Sequence, residues 1–225
     1  MTQRIGIFGG TFDPVHYGHI ASAKMLVTQL SLDTLYFMPC QQHPFHKHPG
    51  ASPAQRADML ALAVADEAQL QVDERELRRD GMSYTVDSLQ EIRREFGNDA
   101  VIVFILGTDA FASLHQWERW QSILDFANVA VIERAGQLTT AQIIEAELKA
   151  LLAQSVTTVK ASHGELVQLV LEPYIISSTV LRSALAATYQ VDSQVDEAQI
   201  KVINEFIPAS VVQYIEAQQL YQSNH

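Results

Sequence analysis

The sequence has a single cysteine, Cys40, so no disulfide can form within the chain and a reducing compartment suits it. Positive charge is also scarce. Fifteen Lys and Arg against 26 Asp and Glu leave a formal net charge of −11 at pH 7, which argues against a non-specific grip on nucleic acid or on an anionic membrane. No apolar run approaches a membrane span, and the few apolar residues before Gly9 are too short a stretch for a signal peptide, so the sequence predicts a cytoplasmic, soluble protein. Internal repeats and low-complexity tracts are missing too. Two common phosphate loops are excluded: no G-K-[ST] follows the glycines of the first strand, and nothing there spells G-x-G-x-x-G. What is present is a chain of 225 residues, 48% apolar, long enough to bury one sizeable core, and nothing in it sets an oligomeric state.

Its apolar patterning alternates between two periods. Strands are predicted at Arg4–Phe8, Thr34–Pro39, Leu70–Val72, Ala100–Gly107 and Asn128–Ile132, with weaker ones at Val156–Val159 and Leu166–Leu171. Helical spacing covers Ile20–Leu30, Pro53–Glu67, Tyr84–Phe96, Trp117–Leu124 and Thr139–Gln154. Strand and helix in alternation predict an α/β fold with a doubly wound parallel sheet, its ligands bound beyond the carboxyl ends of the strands. Ala100 to Leu106 is apolar throughout, as a central strand buried on both faces should be. From Ser177 the chain reads as helix to its end, at Ser177–Ala187, Glu197–Phe206 and Pro208–Gln218, which divides it into a core of residues 1–176 and a small helical subregion of residues 177–225 packed on it.

The most informative stretch is Ile7-Phe8-Gly9-Gly10-Thr11-Phe12-Asp13-Pro14-Val15-His16-Tyr17-Gly18-His19. A short strand runs into two glycines, where a phosphate or base can approach the main chain, and then into two histidines at the mouth of a helix. Helix N-termini present unsatisfied N–H groups and partial positive charge, and imidazoles there add donors for an anion. Glycines alone would suit any strand-to-helix turn; the coincidence of all four features points to phosphate. Five of the eight histidines, His16, His19, His43, His46 and His48, fall within this first part of the chain together with Lys47, so positive potential is concentrated in one region of an acidic molecule.

Further constellations follow at other predicted strand ends. Pro39 to Lys47 offers imidazoles with an ammonium; His43, His46 and His48 have spacings that a metal could use, but Cys40 is thin support for a structural zinc site, and a solvated loop is a third reading. Ser83 could cap the helix that follows it. Gly107-Thr108-Asp109 closes the central strand, where a carboxylate can accept from ribose hydroxyls, and Trp117 can offer its face to a pyridinium, a contact worth on the order of 1 to 2 kcal/mol. Two tryptophans at helical spacing more often pack, so Trp120 is assigned to the core. In Ile176-Ser177-Ser178-Thr179-Val180-Leu181-Arg182 three hydroxyl residues open a helix and Arg182 lies on the same face, so that caps, amides and a guanidinium converge on one anion.

Taken together these segments resemble the nucleotidyltransferase superfamily, with its H-x-G-H and I-S-S-T-x-x-R motifs, and in particular the bacterial nicotinate mononucleotide adenylyltransferases. Ser83-Tyr84-Thr85 with Arg56 and Met59 matches that family's S-Y-T and R-x-x-M-L stretches. The loop ending in His46-Lys47 is similar to its P-x-x-x-P-P-H-K, with Phe45 where a proline is usual, and Glu133-Arg134-Ala135-Gly136 keeps only part of R-R-P-G. The resemblance implies a Rossmann-like nucleotidyltransferase fold and transfer of the adenylyl group of ATP to nicotinate mononucleotide, giving deamido-NAD and pyrophosphate in NAD biosynthesis. It implies ATP contacts at Gly9, Gly10, Thr11, Phe12, His16, His19, Gly107, Asp109, Ile176, Ser177, Ser178, Thr179 and Arg182, and mononucleotide contacts at His46, Lys47, Thr85, Trp117 and Arg134. His16, His19, Lys47 and Arg182 are the residues expected to act on the phosphates. Mg2+ would accompany ATP, carried by phosphates and water, with no protein metal site. Alternatives are a sister adenylyl- or cytidylyltransferase, which should not need Thr85 and Trp117; a class I aminoacyl-tRNA synthetase, for which the chain is short, acidic and without K-M-S-K-S; and a nucleotide sensor that binds ATP but releases no pyrophosphate.

Overall fold

The structure, a computed structural model, describes residues 2–41, 50–134, 146–172, 176–188 and 197–222. Among them six strands form one sheet: β1 (Arg4–Gly10), β2 (Thr34–Pro39), β3 (Leu70–Val72), β4 (Val101–Gly107), β5 (Asn128–Arg134) and β6 (Leu166–Leu171). Every pairing is parallel and the order is β3-β2-β1-β4-β5-β6. The direction of winding therefore reverses between β1 and β4, and the connections leaving those two strands diverge there. The carboxyl ends of two such strands are where open sheets of this kind form a crevice and bind ligands.

Between the strands lie α1 (Tyr17–Gln29), α2 (Pro53–Val64), α3 (Thr85–Phe96), α4 (Thr108–Ala112), α5 (Ile123–Phe126) and α6 (Ala146–Leu152); the chain closes with α7 (Ser178–Thr188), α8 (Glu197–Phe206) and α9 (Ala209–Ala217). Strand β4 shows why its run is apolar throughout. Val101, Val103 and Ile105 pack with Leu26 of α1, Leu60 of α2, Leu181 of α7, Ile203 of α8 and Val211 of α9, while Ile102, Phe104 and Leu106 pack on the other face with Leu89 and Ile92 of α3, Phe111 of α4 and Leu148 of α6. Side chains of a strand alternate faces, so a strand covered on both sides needs no polar position. The C-terminal helices thus share one core cluster with the sheet.

Local chemistry sets the element ends that matter for the site. Ser52 and Gln55 cap α2 reciprocally, Ser52 Oγ accepting from the Gln55 N–H at 3.3 Å and Gln55 Oε1 from the Ser52 N–H at 2.9 Å, with Pro53 in the first turn. At the far end of α3, Arg93 is buried and its guanidinium donates to the carbonyls of Gly97, Ala100, Phe126 and Ser162, fastening the approaches to β4 and β5; desolvation lowers its proton affinity.

Three predicted elements differ. In place of the helix expected over Trp117–Leu124 there is a 3-10 turn at Trp120–Ser122 followed by α5, preceded by another 3-10 turn at Leu114–Gln116, because Trp117 is extended and Arg119 left-handed at φ 50°. Val156–Val159 is no strand; Val156 makes only a single bridge to Val167. The glycines Gly9 and Gly10, expected as a turn, are the last two residues of β1 and pair with Met38 and Pro39. Of the helix expected over Thr139–Gln154, the described part is α6, and the rest lies largely outside the described residues. No described helix is long and apolar enough to cross a membrane.

Candidate active site

At the carboxyl end of β1 the chain turns over a buried ring. A Cβ on Gly10 would stand 2.7 Å from the Phe12 ring, so glycine is what lets Phe12 fold back. Phe12 takes φ 52°, is 3% exposed, and meets Phe8, Phe37 and His19 edge-on. Its ring is therefore core, and only its backbone can serve a ligand. Thr11 faces Cys40, whose Sγ lies 3.8 Å from Thr11 Oγ1 and whose thiol is pushed up by burial. Beneath both lies Arg56, fully buried, donating to the carbonyl oxygens of Thr11 at 2.8 Å and Cys40 at 2.6 Å. A guanidinium with no carboxylate partner in these bonds fixes the glycine loop to the end of β2.

The two histidines are arranged by the start of α1. His16 is its extended N-cap residue, and its carbonyl accepts from the His19 N–H at 2.9 Å. The His16 N–H in turn donates to His19 Nδ1 at 3.3 Å, and the two rings lie 3.8 Å apart, tilted by 32°. With Nδ1 accepting, the proton of the neutral His19 ring sits on Nε2, the tautomer that can donate to a phosphoryl oxygen.

Asp13 ties this loop to distant parts of the chain. Its carboxylate, 3% exposed, accepts from the N–H groups of Gly50 at 2.8 Å and Ala51 at 3.1 Å and from the Tyr221 hydroxyl at 2.6 Å. Its carbonyl oxygen accepts from Arg182 Nη1 at 2.6 Å, and Ser178 Oγ donates to the carbonyl of Pro14 at 3.0 Å. Ser177 caps α7 through the Val180 N–H, and Arg182 Nη2 donates to Thr179 Oγ1 at 3.3 Å. The structure thus brings Ser178, Thr179 and Arg182 against the loop that carries His16 and His19, with the N-terminus of α7 opening beside the N-terminus of α1. Ile176 and Ser177 are half-buried just before it.

A second group forms where α3 begins. Ser83 does not cap α3; the N-cap residue is Tyr84, without a side-chain bond, and Ser83 Oγ instead accepts from Arg79 Nη1 at 2.7 Å. The same Nη1 reaches Ser88 Oγ at 2.8 Å, and Ser88 donates to Glu76 Oε1 at 2.8 Å. Burial pushes the Glu76 carboxyl up to about 7 against the pull of Ser88 and Arg79. Thr85, the first residue of α3, is half-buried. Arg119 donates to Asp87 Oδ1 at 2.7 Å and so joins the first turn of α3 to the segment bearing Trp117. Trp117 is half-buried, edge-on to Phe104 at 6.3 Å, with its Nε1 donating to Ser113 Oγ at 3.4 Å. Trp120 is only half-buried as well; it packs at the rim of the core over an apolar cavity of about 200 Å³ with Leu114, Ile123, Leu124 and Leu151.

Between the two groups, Gly107 ends β4 next to β1, and Asp109 stands exposed in the first turn of α4. The sheet brings both groups to the carboxyl ends of its strands, and Gln41, which follows β2, donates from Nε2 to the Arg79 carbonyl at 3.1 Å. Arg134 is the last residue of β5 and is placed by its backbone. His46 and Lys47, with His43 and His48, lie outside the described residues. Four contributors escape the sequence reading in role: Asp13, Arg56, Glu76 and Tyr221. Asp13 and Arg56 stand inside quoted motifs, yet a carboxylate beside phosphates gives no hint that its bonds go to the main chain, and a buried arginine looks like any surface one. Nothing marks Tyr221.

Among the described residues no group of three or more His, Cys, Asp and Glu could hold a metal. The donors gathered here are imidazoles, hydroxyls, amides and a guanidinium, which suit anionic oxygen, and the Asp13 carboxylate is taken by three donors.

Residues 7–184 match the cytidylyltransferase-like family model. A protein of Chromobacterium violaceum named "probable nicotinate-nucleotide adenylyltransferase" is 39% identical over 226 residues, covering 99% of this chain and 100% of its own length. One of the same name from Pseudomonas aeruginosa is 36% identical over 228 residues, covering all of both chains. In fold the chain is similar to Plasmodium falciparum nicotinic acid mononucleotide adenylyltransferase complexed with NaAD, at a TM-score of 0.68 and 18% identity over 99% of this chain and 98% of that one.

Proposed function

Because the chain belongs to the nicotinate-nucleotide adenylyltransferase family, within the cytidylyltransferase-like proteins, we propose that its site transfers the adenylyl group of ATP to nicotinate mononucleotide, with pyrophosphate as the second product. One observation supports the assignment of residues: the bonds from Arg182 to Asp13 and from Ser178 to Pro14 bring the start of α7 against the loop that leads into α1, whose His16 is 3% exposed.

An oxygen of the mononucleotide phosphate attacks the α phosphorus of ATP in line. A P–O bond forms there as the bond from the α phosphorus to the bridging oxygen breaks, and the electron pair leaves on pyrophosphate. A phosphate monoester has a second pKa near 6, so the nucleophile is largely dianionic at neutral pH and needs no general base. The remaining work is positioning and charge stabilisation. We assign the Nε2 proton of His19 to the transferring phosphoryl group, His16 and Lys47 to neighbouring phosphates, and Ser178, Thr179 and Arg182 to the leaving pyrophosphate. The main chain of Gly9 to Phe12 and the segment at Gly107, with Asp109 on ribose, take the rest of ATP, with Ile176 and Ser177 at its phosphate end. Thr85, Trp117, His46 and Arg134 take the mononucleotide. A divalent cation, Mg2+ in this reading, would come with ATP, held by its phosphates and water, and would supply positive charge to the phosphates. The reading places residues 1–176 as the nucleotidyltransferase core with residues 177–225 as the helical part that completes its phosphate end, in a cytoplasmic enzyme with no nucleic-acid or membrane partner.

Pyrophosphate release with ATP and, side by side, nicotinate and nicotinamide mononucleotide tests the reading. Release with the nicotinate form in preference supports it; ATP binding without release with any mononucleotide overturns it.

A further inference from the structure

We propose that Tyr221 is a positioning residue for the triphosphate end of the site: its phenol holds the Asp13 carboxylate in the place from which the Asp13 main chain aims Arg182. The proposal rests on the reading of Arg182 as a phosphate ligand.

Tyr221 lies beyond the end of α9 and is turned back into the molecule. Gln219 and Tyr221 both have left-handed backbones, at φ 53° and 60°, a conformation that a bulky side chain adopts only when its surroundings impose it. The turn puts the ring 7% exposed, with its hydroxyl 2.6 Å from Asp13 Oδ1, 208 residues away in sequence. The ring also lies against Gly50, where a Cβ would come within 2.7 Å of it and 3.5 Å of Arg182 Cδ. Tyr221, Gly50, Asp13 and Arg182 therefore form one packed set. Burial, and then the neighbouring Asp13 charge, raise the phenol far above its ordinary range, so the hydroxyl remains a donor.

The consequence for Arg182 follows from two distances. Its Nη1 bonds the Asp13 carbonyl oxygen at 2.6 Å while standing 3.8 Å from Asp13 Oδ2. A carboxylate satisfied by Tyr221 and two amides leaves the guanidinium on the carbonyl, with the Arg182 side chain 35% exposed. Without the phenol donor, Asp13 keeps a buried lone pair in want of a donor, and Arg182 is the cation that stands within 4 Å of its carboxylate among the described residues. The guanidinium would close on the carboxylate and withdraw from the phosphates.

The test is a double-mutant cycle of Tyr221→Phe with Arg182→Ala, read as kcat, the KM for nicotinate mononucleotide and the Kd of a non-hydrolysable ATP analogue. Y221F should raise the Kd of the analogue about tenfold, the scale of one charge-assisted hydrogen bond, and lower kcat, while the KM for the mononucleotide stays within about twofold. In the R182A background Y221F should change the Kd less than about twofold. Should Y221F fail to fold, Gly50→Ala, which pushes on the same ring, is expected to give the same pattern. A well-folded Y221F with unchanged Kd, or the same factor with and without Arg182, overturns the proposal. R182A separates the two readings: an analogue Kd unchanged in R182A sinks the phosphate assignment and this proposal with it, whereas a damaged R182A beside an unaffected Y221F sinks this proposal alone.

Discussion

Arg182 donates from Nη1 to the carbonyl oxygen of Asp13 at 2.6 Å, across 169 residues of chain. The bond joins the loop after the first strand to the first helix after the sheet is complete, so the group of residues proposed for the phosphates would be assembled only when both ends of the chain are in place. The C-terminal helices also share a core cluster with β1 and β4.

Replacing His19 by Ala should reduce kcat about 10²- to 10³-fold, the usual loss for one donor at a developing charge, while the Kd of an ATP analogue shifts by less than about tenfold. Steady-state kinetics and calorimetric titration separate the two. Equal losses in both would place His19 in ground-state binding only.

Trp117 is half-buried against Phe104 of the central strand β4, and its segment is tied by Arg119 to the start of α3. Trp117→Ala should raise the KM for nicotinate mononucleotide roughly tenfold, in line with a loss of about 1 to 2 kcal/mol, and leave the Kd of the ATP analogue unchanged. A shift on the ATP side instead would move Trp117 to the other substrate.

Glu76 gives the fold a pH signature. Folded, its carboxyl titrates at about 7 rather than the ordinary 4.5, mainly because it is buried. Between those values the folded chain holds a proton that the unfolded chain has released, so this group's contribution to stability is intact below pH ~4.5, declines as pH rises, and levels off above about 7, by at most ~3 kcal/mol. Glu76→Gln, which can still accept from Ser88, should remove that decline, so the stability difference between wild type and variant should change across this window in denaturant titrations. Parallel profiles would contradict it.

Arg56 carries the opposite kind of buried charge, a guanidinium whose bonds go to the carbonyls of Thr11, Cys40 and Gln41. Arg56→Met should destabilise the protein by about 3 kcal/mol or more, since it strands these carbonyls, and should lower activity through the loosened glycine loop. The midpoint of urea unfolding measures the first effect. A variant as stable as the wild type would show that the loop holds without it.

The sequence made the sheet legible because buried parallel strands are long apolar runs bounded by turn residues; β2, β3 and β6 begin and end where the pattern does. The helix Glu197–Phe206 is equally plain from its period. Elements of four or five residues, α4 and α5, are too short to show a period, and the turn at Arg119 is fixed by its tie to Asp87, which no local signal gives away. The motifs around His16, His19 and Arg182 could be read because they join several chemical features in a fixed order. Ser83 misled because a hydroxyl before a helix looks like a cap whatever it bonds, and here it bonds Arg79. Asp13 and Tyr221 work through a contact between the two ends of the chain, and sequence spacing says nothing about such pairs.

A crystal structure of the protein with a non-hydrolysable ATP analogue and nicotinate mononucleotide tests the central claim most directly. The account predicts one triphosphate spanning the crevice, with an α-phosphoryl oxygen about 3 Å from His19 Nε2 and the β and γ phosphates on Ser178, Thr179 and Arg182. A nucleotide bound with its phosphates away from either His19 or Arg182 would contradict it.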